Sequence, residues 1–240
     1  MTPHNLAEKG EIARVVLAPG DPERCEFIAS NFLSSSSLVS KKRGNVVITG
    51  TYKGMEVSLC STGMGAAGAG IYTYELYKFY DVESIIRIGT AGGLKAEIEP
   101  GELVVPLSVS TDGAYASQYR LHGTLSPCPD YSLFKTAIDT AGRIGQKFHS
   151  GMVFSSEYFS EYNATGEESL KEWVGLGALA QDMETYALFS NALYLGKKAL
   201  SILTVTDNCI SGRSVKDEER MTCLEPMIKL ALETAVESLK

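Results

Sequence analysis

Several kinds of residue that carry common chemistries are scarce in this chain. Histidine occurs three times in 240 residues, at His4, His122 and His149, and never at metal-ligand spacing, which argues against a zinc site. The five cysteines (Cys25, Cys60, Cys128, Cys209, Cys223) are odd in number and widely spaced, with no C-x-x-C. That usage fits a reducing cytoplasm better than a disulfide framework. No apolar run reaches the ~18 residues of a membrane helix. The first residues, Met1-Thr2-Pro3-His4-Asn5, lack the charged-then-apolar layout of a signal peptide. Basic side chains are outnumbered 22 to 29, for a net charge of -7, and no basic stripe offsets the deficit. A general nucleic-acid or anionic-membrane binder is therefore disfavoured, whereas a small anion could still be held by arginines gathered locally. Internal repeats and low-complexity segments are absent.

What remains is an ordinary globular composition, 44% hydrophobic and 21% charged. The length suits one α/β domain spanning residues 1–240. The organising stretch is Ser84-Ile85-Ile86-Arg87-Ile88-Gly89-Thr90-Ala91-Gly92-Gly93. Its β-branched run reads as a strand buried on both faces, interrupted by one arginine and broken by glycines. A cation at the mouth of a buried strand needs an anion or a carboxylate to meet it. Arg87 and Thr90 are thus either the floor of an anion site or part of an internal ion pair. Arg24 poses a choice between an anion partner and a solvated arginine. It falls in the first turn of a helix predicted to start at Pro22 with Asp21 as N-cap, where a cation opposes the helix dipole.

Other elements follow in order. Ser34 to Ser37 reads as a polar loop and Lys41-Lys42-Arg43-Gly44 as a charged turn. Asn45 to Tyr52 and Met55 to Ser61 read as a hairpin turning at Lys53-Gly54. Gly63-Met64-Gly65-Ala66-Ala67-Gly68 matches a dinucleotide-binding pattern between strand and helix, but the acidic residue expected at the tip of the next strand is missing. Glu102 to Leu107 reads as a strand, Ser108 to Asp130 as an irregular excursion, Tyr131 to Ile144 as an amphipathic helix and Phe148 to Phe154 as a strand. The strand opens into the loop Ser155-Ser156-Glu157-Tyr158-Phe159, whose two aromatics suit either the core or stacking on a planar ring. Glu167 to Val174 reads as helix, and Ala178 to Asp182 as a short strand leading to Met183 and Glu184. Glu184 then stands near a helix start, where capping competes with ligand binding. Leu200 to Val205 is the last buried strand. Its Thr206-Asp207 end is either a cap or a catalytic carboxylate, and Lys216 to Leu239 reads as the closing helix. The strand-helix order predicts a mixed, mostly parallel central sheet flanked by helices, with the polar residues at one edge.

Two arginines, a hydroxyl and a glycine turn suit phosphate; a glutamate suits vicinal hydroxyls; an aromatic suits a flat base. With these residues the chain strongly resembles the hexameric, bacterial-type purine nucleoside phosphorylases of the nucleoside phosphorylase/nucleosidase superfamily. The likeness runs through Thr2-Pro3-His4, Pro19-Gly20-Asp21-Pro22-Glu23-Arg24, Gly50-Thr51-Tyr52-Lys53-Gly54, Gly63-Met64-Gly65, Arg87-Ile88-Gly89-Thr90-Ala91-Gly92, Asp182-Met183-Glu184, Thr206-Asp207, Glu219-Arg220 and Met227 to Glu233. It implies the nucleoside phosphorylase fold and phosphorolysis of purine (2′-deoxy)ribonucleosides in salvage, with inorganic phosphate as co-substrate and no cofactor. It also implies a cytoplasmic homo-oligomer, a hexamer built as a trimer of dimers. By the same resemblance Gly20, Arg24, Arg87 and Thr90 (usually serine) hold phosphate, with Arg43 from a neighbouring subunit. Met183 and Glu184 hold ribose, with His4 from a neighbour. Phe159, Thr206 and Asp207 hold the base, and Arg220 supports Asp207 in catalysis. Two positions depart from the pattern: Thr62 replaces a frequent histidine, and Asp182 a frequent glutamate. Uridine phosphorylases share the phosphate arginines, but no Gln/Arg pair for a pyrimidine is evident. Nucleosidases generally lack those arginines. A non-catalytic nucleotide binder would not need Asp207 with Arg220.

Overall fold

A computed structural model describes residues 1–240, the side chains of residues 167 and 217 excepted. Four fully buried residues, Val15–Ala18, form β1. The chain then turns into α1 (Pro22–Phe32), where Asp21 Oδ1 accepts from Glu23 N at 2.8 Å and Pro22 occupies the first turn. Three strands follow, β2 (Ser34–Lys42), β3 (Asn45–Tyr52) and β4 (Met55–Cys60), the last two hairpinned as the Lys53-Gly54 signal implies. After α2 (Gly65–Phe79) comes the long β5 (Ser84–Gly93), then β6 (Leu103–Thr111), α3 (Tyr131–Ile144), β7 (His149–Ser155) and the short α4 (Lys171–Gly175). The chain closes with β8 (Ala180–Asp182), α5 (Thr185–Leu195), β9 (Lys198–Asn208) and α6 (Glu225–Glu237).

The nine strands run in the order β2-β3-β4-β1-β5-β8-β7-β6-β9, and β9 pairs back onto β5. Five strands therefore close into a ring, to which β1 to β4 are attached as a wing. Of the nine strand pairs, five are parallel and four antiparallel, a mixed sheet as the motifs predict. The ring is filled by Ala91, Val104, Val153, Ala180, Leu203 and Val205, at least one from each of its strands. On one side Ile86 and Ile88 pack with Ile28 of α1, Leu133 of α3 and Met227 of α6. On the other, Val16 and Ile85 pack with Leu76 and Tyr77 of α2 and Phe189 of α5. Burying each such side chain stabilises by ~1.5–3 kcal/mol, so β5 is anchored from both faces.

Several boundaries differ from the sequence reading, among them β5, which runs unbroken through its glycines to Gly93. Ser34 to Ser37 is strand rather than loop, because this edge segment is held by backbone pairing to β3 and not by apolar burial. β6 runs on to Thr111 through the exposed Leu107 and Ser108, paired to β7. The stretch expected to be helical around Glu167 to Val174 is a 3₁₀ turn (Gly166–Leu170) followed by α4. The closing helix proper starts at Glu225, after a 3₁₀ turn at Thr222–Leu224, with Pro226 in its first turn. Among the described residues no helix is long and apolar enough to cross a membrane.

Candidate active site

The edge of β5 that faces away from β9 changes partner along its length. β1 pairs with Ser84 to Arg87 and stops at Ala18; β8 pairs with Gly92 and Gly93. Between them, from Ile88 to Ala91, the strand edge has no strand beside it among the described residues. This opening at the carboxyl end of β1 is the kind of crevice where open α/β sheets place ligands. Arg24 enters it from the first turn of α1, and its Nη1 donates to Ile88 O at 3.1 Å. Beside it the Pro19-Gly20 turn is fixed by Thr62 N to Pro19 O at 3.0 Å and Gly63 N to Gly20 O at 2.9 Å.

Arg87 folds forward over its own strand. A Cβ at Gly89 would lie 2.5 Å from Arg87 Nη2, so this position requires glycine. Arg87 is buried and doubly paired: Nε donates to Asp182 Oδ2 at 3.0 Å, and Nη2 meets Glu184 Oε2. Of the two readings open at Arg87, the internal pair is present in this structure. Burial alone would lower its affinity for a proton, but Glu184 and Asp182 outweigh that and hold the guanidinium more firmly charged. Glu184 is pushed up by burial, against the pull of Arg87 and with a further push from Asp182. Its side chain does not cap α5, although it stands at the N-cap position. Instead Oε1 accepts from Gly65 N at 2.7 Å, at the start of α2, where the N-cap residue Met64 makes no side-chain cap of its own. A carboxylate there gains from the helix dipole. The G-x-G-x-x-G run thus opens α2 onto Glu184, and Gly68 is needed because a Cβ would sit 2.6 Å from Thr62 O.

Arg24 differs from Arg87. It is buried, no ion pair reaches it among the described residues, and its Nε has no hydrogen-bond partner. Burial lowers its hold on its proton, Asp21 opposes this, and the neighbouring Arg87 adds repulsion. Asp182 and Glu184 are engaged by Arg87, and Asp21 acts on Arg24 without forming an ion pair with it. The cluster therefore presents a buried cation in no ion pair among the described residues, an environment that suits an anion.

The other site candidates lie on the same rim. Thr90, partly exposed, pairs with Thr204 of β9. Gly92 faces Asp207, and an extra residue bulges there. Thr206 Oγ1 donates to Asp207 Oδ2 at 2.9 Å, and Arg220 Nη2 stands 3.9 Å from Asp207 Oδ1. Met183 is half-buried between Asp182 and Glu184. Phe159 is half-exposed in the loop after β7, its ring 4.8 Å from Tyr162. That loop starts beside the site, since Ser156 N donates to Asp182 O at 2.9 Å.

Two candidates stand apart. Arg43 is exposed at the tip of the β2–β3 hairpin. His4 is held on α2 by Glu75, Nδ1 to Oε1 at 2.7 Å. A cavity of about 350 Å³ lies elsewhere, lined by Tyr74, Gln118, Tyr119, Asn191 and Tyr194, and shares no residue with the rim. Sequence reasoning missed Asp182 as the partner of Arg87. β8 ends at Asp182 and the chain bends through Met183 and Glu184 into α5, so both carboxylates reach Arg87 from that bend and not from one strand face.

The phosphorylase superfamily model matches residues 14–239. The chain belongs to that family. It is 39% identical over 236 residues to a protein of Colwellia psychrerythraea, covering 98% of this chain and 99% of the relative. The identity is 39% over 237 residues to one of Clostridium perfringens and 37% over 236 residues to one of Geobacillus sp., with the same coverage. All three carry the name purine nucleoside phosphorylase DeoD-type. The resemblance carried by the motifs is thus borne out along the whole chain, and with it the fold.

Proposed function

We infer that the chain catalyses phosphorolysis of purine nucleosides, giving free base and ribose or 2-deoxyribose 1-phosphate. The observation that carries this is Arg24, a buried guanidinium in no ion pair among the described residues, beside the doubly paired Arg87, in a chain whose relatives are named as purine nucleoside phosphorylases. A phosphate dianion supplies the missing partner.

Phosphate rests on Gly20, Arg24, Arg87 and Thr90. Ribose lies over Met183 and Glu184, the Glu184 carboxylate accepting from the 2′- and 3′-hydroxyls. The purine stacks on Phe159 with its N7 towards Thr206 and Asp207. A phosphate oxygen then bonds to C1′ as the C1′–N9 bond breaks, and the electron pair departs on the base. The oxocarbenium character at C1′ is met by the phosphate charge, and the anion on the purine by a proton from Asp207 to N7. Arg220 orients that carboxyl. General-acid help contributes ~10²–10⁴ in rate, and fixed donors around phosphate and sugar contribute by positioning.

Arg43 and His4 act in a neighbouring subunit of a homo-oligomer, Arg43 on phosphate and His4 on the ribose 5′-hydroxyl. Support comes from Arg43 at an exposed hairpin tip and from the family resemblance. A hexamer in the cytoplasm is the assembly and setting we propose, with phosphate as co-substrate and no cofactor. The test is direct: inosine with phosphate yields hypoxanthine and ribose 1-phosphate, uridine does not react, and a fully active isolated monomer would contradict the roles of Arg43 and His4.

A further inference from the structure

One polar side chain at the base end of the rim is not used by that mechanism. Gln181 precedes Asp182 on β8 and is half-buried. Its carboxamide is held in place: Nε2 donates to Ser160 Oγ at 2.9 Å and to Cys209 Sγ at 3.4 Å. Ser160 follows Phe159, and Cys209 lies two residues beyond Asp207, so the amide ties together the segments proposed to hold the ring. It also lies on the backbone of Gly92. A Cβ there would come within 3.1 Å of Gln181 Nε2 and 2.9 Å of Cys209 Sγ. The other end of the amide is open, since Oε1 accepts no hydrogen bond among the described residues. A positioned acceptor left over in a half-buried site costs little while water reaches it, and gains only from a donor on a ligand.

The strand register says which part of a ligand that is. Gly92 is paired with Asp207 on one side and with Gln181 on the other. A purine seated beyond the Gln181 and Cys209 side chains that cover Gly92, with N7 towards Asp207, turns its N1–C2–N3 edge towards Gln181. Guanine carries two donors on that edge, N1–H and the 2-amino group. Hypoxanthine carries N1–H. Adenine offers only acceptors there, and its 6-amino group lies on the N7 side. We propose that Gln181 is a specificity-determining residue of the base subsite, whose Oε1 accepts from the N1–C2 edge and favours 6-oxopurine nucleosides over adenosine. The proposal rests on the purine nucleoside reading of the site and on the N7–Asp207 orientation within it.

The experiment compares kcat/KM for guanosine, inosine and adenosine, at saturating phosphate, in the wild-type protein and in Gln181→Met, which keeps the volume and removes the acceptor. The expected result is a fall of roughly 2- to 12-fold in the guanosine-to-adenosine and inosine-to-adenosine ratios, the span of one neutral hydrogen bond. Each ratio is taken within one preparation, so any unfolded fraction cancels. If Gln181 only braces the Ser160 segment, all three nucleosides suffer alike, and an unchanged or increased ratio overturns the proposal. Should Gln181→Met not accumulate, Gln181→Asn withdraws the acceptor by one methylene and is read in the same way. A wild-type protein that phosphorolyses none of the three would instead refute the purine nucleoside reading itself.

Discussion

Arg87 Nε and the amide of Thr185 converge on one oxygen, Asp182 Oδ2, each at 3.0 Å, and the Thr185 hydroxyl joins them at 2.6 Å. One short carboxylate thus holds both the strand's cation and the first turn of α5. Substituting Asp182→Ala leaves Arg87 with Glu184 alone. Stability should fall by ~3 kcal/mol, the low end of the cost of breaking a buried pair, because one partner remains. Denaturant unfolding would show this, and the KM for phosphate should rise with it. An unchanged midpoint would mean that Asp182 does not anchor the arginine.

Arg24 should behave in the opposite sense. It is a buried cation in no ion pair among the described residues, so Arg24→Met is expected to leave phosphate-free stability unchanged or raised. Phosphate binding should weaken by ~10- to 150-fold, the range for a hydrogen bond to a charged group. In thermal melts the wild-type Tm rises with added phosphate through linkage, and the variant's does not over the same concentrations. An equal rise in both would remove Arg24 from the phosphate site.

Asp207 tests the departure of the base. Asp207→Ala should lower kcat with inosine by ~10²–10⁴, while the phosphate-dependent rise in Tm stays as in the wild type. The two readouts separate chemistry from phosphate binding. A near-normal kcat would leave the protonation of N7 to another group.

Far from the rim, Glu233 of α6 accepts from Tyr52 Oη at 2.8 Å, pairs with Lys53 and lies 3.9 Å from Arg143. Burial raises its carboxyl pKa, but Lys53, Tyr52 and Arg143 outweigh that and hold it below the ordinary value. The sign follows: a depressed carboxyl stabilises the fold above the unfolded pKa of ~4.3 and loses that contribution as pH falls through the folded value. Glu233→Gln should therefore cost ~1–2 kcal/mol at pH 7 and progressively less below about pH 4. Urea unfolding at both pH values checks this, and an equal cost at each would deny the charge a role.

Much of this was legible in the residues because the determinants are local. The Ile85 to Ile88 run announces a strand buried on both faces, Asp21-Pro22 a helix start, and Lys53-Gly54 a hairpin. Ser34 to Ser37 was not legible, since a serine run paired at the sheet edge shows no apolar alternation. Nor was the ring, because the β5–β9 pairing joins segments about 110 residues apart. At the site, residue types singled out Arg24 and Arg87, but not that Arg87 is internally paired while Arg24 is not. That depends on where β1 stops and β8 begins along β5, and on Asp182 and Glu184 arriving together from a distant strand. The glycine run before α2 likewise has its reason in three dimensions: Gly68 lies against Thr62 O, and Gly65 N holds Glu184.

The central claim is that an anion completes the charge at Arg24 and becomes the nucleophile. The most direct test follows hypoxanthine release from inosine while phosphate is raised from zero. The expected result is no turnover without phosphate and saturable turnover with it, one ribose 1-phosphate formed for each hypoxanthine. Hypoxanthine released at full rate without phosphate, with free ribose as co-product, would contradict it.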